Sequence, residues 1–112
     1  MHNPQSSSVV EHALSVVALA RPIVETVQRK DRDLASQLRR AISSVALNLA
    51  EGFGATAGNA RLRFETALGS LREAQAGIRV AVAWGYVSVS AVSPVLESMN
   101  CLGGRVFGLV RR

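Results

Sequence analysis

The sequence predicts an all-α fold and, within that class, an up-down-up-down antiparallel four-helix bundle. Three observations lead there. Apolar residues recur at spacings of three and four along almost the whole chain, which gives each run one face suited to burial. No segment alternates apolar and polar residues between hairpin-type turns, so the strand signature is missing. The periodic runs are separated by short breaks rich in charge, glycine or serine, and connections of that length favour antiparallel neighbours.

Residues 1–7 are polar and are expected to form a flexible start, with one domain over residues 8–112. The first helix is expected to begin at Ser8, because Ser8 and Glu11 form a Ser-x-x-Glu capping box. It should run to about Arg29 with Val10, Leu14, Val17, Ala20, Val24 and Val27 inward, and Pro22 predicts a kink or break near residues 18–21. Residues 28–33 form a turn, after which Asp31 or Asp33 caps a second helix that buries Leu34, Leu38, Ile42, Val45 and Leu49. Gly52, Gly54 and Gly58 stop that helix. Asn59 then caps a third, with Phe64, Leu68, Leu71, Ile78 and Val82 inward, and Gly85 closes it. Ser88 or Ser90 opens the fourth, where Pro94 fits only in the first turn. Its inward residues are Val92, Leu96, Met99, Val106 and Val110, and Gly103, Gly104 and Gly108 weaken it.

At 112 residues with 48% hydrophobic content, the chain makes one domain and leaves little room for an elaborate active-site cleft. Thirteen basic residues, twelve of them arginine, outweigh eight acidic ones to give +5 at pH 7, a balance that suits a polyanionic partner such as nucleic acid. A single cysteine, Cys101, excludes an intrachain disulfide framework and points to a reducing, cytoplasmic home. The amino-terminal residues lack the pattern of a signal peptide. The most apolar stretch, residues 74–92, carries Arg79 and Gly85 and falls short of a membrane span, so no membrane partner is expected.

The third helix departs from the pattern of a bundle helix with one apolar stripe. At 100° per residue, Phe64, Leu68, Leu71, Ile78 and Val82 fall on one side, and Leu62, Gly69, Ala76 and Val80 on the other. Only a wedge of Arg61, Glu65, Arg72 and Arg79 is left for water. Such a helix is buried on both faces by an intrachain arrangement or by another subunit, unless the small residues are simply tolerated at the surface. On the fourth helix Val95, Leu102 and Leu109 form a second heptad-spaced line, which favours oligomerisation. Leu62, Ala76, Val80, Val95, Leu102 and Leu109 are thus the candidate subunit interface.

On the second helix Gln37, Arg40, Ser44, Asn48 and Glu51 follow one another at spacings of three or four and form a polar line. If the turn between the second and third helices centres near residues 56 and 57, Arg40 is level with Glu73, and Ser44 with Gly69 and Ser70. The line reads either as a ligand site or as a polar network that sets helix register, and the second reading has the better support because Ser44 has no histidine nearby to act as base. No catalytic residue, cofactor or metal site is assigned. His2 and His12 lack partner ligands, Cys101 reads as a small buried core residue, and Trp84 with Tyr86 reads as a cap on the end of the core. One end of the bundle should gather Arg61, Arg63, Arg105, Arg111 and Arg112, the candidate phosphate contacts.

The run from Gln37 to Gly52, Gln-Leu-Arg-Arg-Ala-Ile-Ser-Ser-Val-Ala-Leu-Asn-Leu-Ala-Glu-Gly, is followed by Ala67, Gly69, Ser70 and Glu73. This pattern resembles the bacterial four-helix-bundle proteins associated with intervening sequences of large-subunit ribosomal RNA. The match covers about residues 37–85 and assigns Gln37, Arg40, Ser44, Asn48, Glu51, Gly52, Gly69, Ser70 and Glu73 to the family motif, which carries no catalytic activity. Proteins of that family are similar to the accessory protein of diversity-generating retroelements. The resemblance therefore implies a homopentameric barrel that binds nucleic acid, with a reverse transcriptase as a further possible partner.

Overall fold

The structure, a computed structural model, describes residues 4–112, with side chains from Ser8 onward. His2 and the first three residues of the expected flexible start lie outside the described residues. Four helices follow in order: α1 (Pro4–Lys30), α2 (Arg32–Phe53), α3 (Ala57–Ala83) and α4 (Val89–Val110). Among the described residues there is no strand. Each helix packs on the next, and α4 closes on α1. The molecule measures 43 × 22 × 21 Å, and its long axis is set by α3, whose 27 residues rise about 40 Å.

The expected start of α1 at Ser8 is corrected. The helix begins at Pro4, a residue whose fixed φ and missing N–H suit a first turn. Ser8 lies one turn inside, and its hydroxyl accepts a hydrogen bond from the Arg105 guanidinium at 2.7 Å. The helix also passes Pro22 without a break. Pro22 leaves the Ala18 carbonyl without its intrahelical donor, and both residues are exposed, so water can take that bond.

The inward register of α1 is shifted from the expected one. Val9, Ala13, Val16, Ala20, Ile23, Val24 and Val27 are buried, whereas Leu14 is 47% exposed and Val10 and Val17 sit at the edge of the core. The apolar pairs Val9–Val10 and Val16–Val17 straddle the seam, and Ala13 rather than Leu14 lies where the neighbouring helix comes close.

Asp31 caps α2, its carboxylate accepting the Leu34 N–H at 3.0 Å. The helix runs past Gly52 and ends at Gly54, whose N–H donates to the Glu51 carbonyl while the Ala55 N–H donates to the Gly52 carbonyl. Gly52 is therefore no helix stop. It is buried against Phe64, where an added Cβ would lie 2.5 Å from a ring carbon. Thr56, not Asn59, occupies the N-cap position of α3. At the far end of α3, Gly85 takes φ 79°, Tyr86 N–H donates to Ala81 and Gly85 N–H to Val82, the paired bonds of a Schellman ending. Ser88 caps α4 through the Ala91 N–H. Pro94 stands in the second turn rather than the first, and its exposed position leaves the Ser90 carbonyl open to solvent.

The core is filled by Leu38, Leu49, Leu71, Ile78, Met99 and Leu102, all essentially inaccessible, and among the described residues it holds no polar or charged residue. On α4 the seam is Val92, Val95, Met99, Leu102, Val106 and Leu109. Val95, Leu102 and Leu109 were expected at a subunit interface; they are buried inside this chain instead, while Leu96 and Val110 lie at its margin. Cys101 is exposed rather than buried. Trp84, expected to close the core, is 69% exposed.

Candidate functional site

The Ser44, Asn48 and Glu51 part of the α2 polar line is a connected chain of polar contacts, which Gln37 and Arg40 do not join. Ser44 Oγ meets Ser70 Oγ of α3 at 2.8 Å, and Asn48 Nδ2 donates to both the hydroxyl and the carbonyl of Ser44 at 2.9 Å. The other end of the Asn48 amide accepts from Arg63 at 3.5 Å, and Arg63 pairs with Glu51 at 3.2 Å. Five residues from two helices thus hold one another. Ser44 Oγ accepts from Asn48, so its proton is free for Ser70, and the hydroxyl serves as a link between helices.

This network sits where the sequence levels Ser44 with Ser70. The neighbouring expectation is corrected: Arg40 and Glu73 are both exposed and, among the described residues, form no ion pair. In water two long side chains lose rotamer freedom for a modest Coulomb gain, so levelling alone does not join them. Gly69 is not a close-approach glycine either, since a Cβ there would meet nothing within 4 Å. Close approach between α2 and α3 occurs at Gly52 against Phe64 and at Gly77 against Leu38. Gln37 and Glu73 border a shallow acidic depression with Asp31 and Asp33.

Of the five arginines expected at one end, Arg61, Arg111 and Arg112 stand near one another, while Arg63 and Arg105 are engaged by other helices. Arg61 pairs with Glu65 at 3.1 Å and shares a depression with Leu109 and Arg112. Arg111 lies over the Phe107 ring, 5.5 Å from its centroid. Arg63, however, belongs to the α2–α3 network, and Arg105 belongs to a clasp between α1 and α4. Arg105 donates to His12 Nδ1 at 3.1 Å and to Ser8, and His12 Nε2 meets Ser98 Oγ at 3.2 Å. Guanidinium can only donate, so Nδ1 is the acceptor and a neutral ring carries its proton on Nε2, directed at Ser98.

Two arginines that the expected cluster omits are uncommitted, as Arg32 and Arg40 of α2 also are: Arg72 and Arg79 are exposed on α3 with no ionic or hydrogen-bonded partner among the described residues. Their signal was the polar wedge of the third helix, which places them in line with Arg61. Of the candidate interface, Leu62 is 60% and Val80 43% exposed, and Ala76 is exposed beside them.

At the opposite end, Tyr86 donates its hydroxyl to Asp31 at 3.1 Å while Lys30 donates to the Tyr86 carbonyl at 3.0 Å. Trp84 stacks on Tyr86 at 6.4 Å. Partial burial, the hydrogen bond to Asp31 and the charge of that carboxylate all raise the Tyr86 pKa above its ordinary 10.0. Among the described residues no helix is long and apolar enough to cross a membrane, and no group of three His, Cys, Asp or Glu residues could hold a metal ion.

A family model described as 23S rRNA-intervening sequence protein matches residues 5–107. No curated protein sequence matches the chain. Among solved structures, a crystal structure from Bacteroides thetaiotaomicron, of a protein of unknown function from the S23 ribosomal protein family, is similar with a TM-score of 0.83. The two share 12% identity over 93% of this chain and 99% of that one, a likeness of fold.

Proposed function

The chain belongs to the 23S rRNA-intervening sequence protein family, and from that premise we propose that it is a non-enzymatic protein that binds RNA or DNA through surface arginines. The observation that carries this reading is where the positive charge sits. Among the described residues no charged group is buried, and Arg32, Arg40, Arg72 and Arg79 have no acidic partner. The excess of +5 therefore faces outward as arginine, the side chain whose forked donors suit phosphate. The polar line of α2 supports the non-catalytic half, since its hydroxyls and amide are engaged in tying α2 to α3.

In this reading the subunit is an up-down-up-down antiparallel bundle that works in the cytoplasm as a homo-oligomer, a pentamer by resemblance. Assembly of five copies would raise the formal charge to about +25 and make binding steeply salt-dependent. An anisotropy titration against structured RNA and duplex DNA at low and moderate salt tests it; absence of binding at micromolar protein would sink the nucleic-acid half. Exposed Leu47, Leu62 and Trp84 favour a second reading, a scaffold or accessory subunit that docks on a reverse transcriptase. A reverse-transcriptase gene beside this one is the result expected of that alternative.

A further inference from the structure

We propose that the face shared by α3 and α4 holds the phosphate backbone of a nucleic-acid duplex. The proposal deepens the nucleic-acid reading above and rests on it.

Around α3, at 100° per residue, Arg72 lies about 20° from Arg61, and Arg79 returns to the direction of Arg61. The three make one straight row, with rises of about 16 Å and then about 10 Å along the helix axis. The row lies on the side of α3 toward α4, because Arg61 shares its depression with Leu109 of α4 and with Arg112 just beyond that helix. Leu71, next to Arg72, is the residue that Gly103 of α4 faces. Across this seam the C-cap of α4 is Arg111, whose guanidinium rests on Phe107 with its N–H edge free to donate. Gly104 and Gly108 are exposed on the outer side of α4, in the direction of Glu97, with open space above them, so that side of α4 raises little to keep a rod-shaped partner away.

Charge complementarity selects the partner. Five arginines, Arg112 included, stand along this face against Glu65, which pairs with Arg61, and Glu97 on the outer side of α4. The α2–α3 face, by contrast, sets Glu51, Glu73 and Asp33 beside Arg40 and Arg63. The class of nucleic acid follows from the missing ring. Proteins that grip single strands stack bases on open aromatic side chains. Here Phe107 is covered by Arg111, and Trp84 lies about 140° around α3 from the arginine row. Cations fixed at intervals on a straight helix, with no open ring among them, contact phosphates and not bases.

The test is anisotropy with the full chain, a labelled 20-base-pair RNA duplex and one of its strands, across a salt series. Arg72→Gln/Arg79→Gln should weaken duplex binding roughly 10- to 100-fold near 0.1 M salt and flatten the slope of log K against log salt by about 2. Arg72→Lys/Arg79→Lys should keep most of that slope, because lysine also serves phosphate as a point charge. Arg21→Gln/Arg39→Gln removes the same charge from the α1–α2 side and should change affinity less than about threefold. Equal losses in the two glutamine pairs, or a preference for the single strand, would overturn the assignment of this face. No binding by the unaltered chain to either probe would overturn the nucleic-acid reading itself, whereas binding indifferent to Arg72 and Arg79 would remove only the face.

Discussion

A single methyl group separates the motif glycines of α2 and α3. At Gly52 a new Cβ would press into the Phe64 ring, itself wedged against Phe53 at 5.0 Å, so Gly52→Ala should destabilise the fold by about 1–3 kcal/mol despite the better helix propensity of alanine. At Gly69 the same change meets open space and should stabilise the isolated subunit by about 0.5–1 kcal/mol. Urea unfolding of both variants checks the opposite signs. The motif shows that small residues belong at these positions, but not which one is a close approach, because that depends on a register a few residues fine. The Ser44–Ser70 contact was legible, since two short hydroxyls level on adjacent helices have few other places to go. Ser44→Ala should cost about 1 kcal/mol by leaving the Ser70 hydroxyl and one N–H of the Asn48 amide unpaired, while the bond from Asn48 to the residue 44 carbonyl stays. The partners of Arg63 and Arg105 were not legible, because each long side chain chooses among several acceptors within reach, and Arg105 finds His12 on another helix.

Helix count, helix ends marked by Asp31 and Ser88, and the inward face of α2 all follow from local pattern, whereas the faces of α1 and α4 do not. Both carry adjacent apolar pairs in heptad register, Val9–Val10 and Val16–Val17 seven residues apart on α1 and Val95–Leu96 and Leu109–Val110 fourteen apart on α4, and periodicity cannot say which member points inward. Tertiary packing decides, and it takes the first of each pair. The connection between elements is equally tertiary. Asp31 caps α2 and also accepts the Tyr86 hydroxyl from the turn before α4, so one carboxylate ties two turns together. Asp31→Ala should therefore cost at least the roughly 0.5–2 kcal/mol of a lost cap. The raised Tyr86 pKa sets a sign for the pH dependence: folding favours the neutral phenol, so its contribution is full below pH 10.0 and fades as pH climbs through the higher folded value. Thermal unfolding of the natural chain should thus decline more steeply above that pH than unfolding of Tyr86→Phe, which has no phenol to ionise.

For the molecule as a whole, the structure divides the apolar surplus of the sequence differently from its periodicity. Val95, Leu102 and Leu109 complete the core of one subunit, which leaves the outer line of α3 as the part of the expected interface still able to meet a second copy. Leu62 and Val80 stand on that line about 27 Å apart, with Gly69 and Ala76 between them, and small residues let another helix lie close. The two sets of residues therefore have separable consequences. Leu62→Glu/Val80→Glu places charge only on exposed positions, so urea unfolding of the subunit should move by no more than about 0.5 kcal/mol per site. The same pair should drive a homo-oligomer toward the 11.9 kDa monomer in size-exclusion chromatography with light scattering, since burying two unpaired carboxylates at a contact is costly. Leu102→Ala should do the reverse, lowering subunit stability by about 2–5 kcal/mol through the cavity it opens and leaving the mass of the remaining folded protein unchanged. A natural chain that elutes as a monomer would contradict the oligomer at once, and a glutamate pair that keeps the full assembled mass would move the contact off α3.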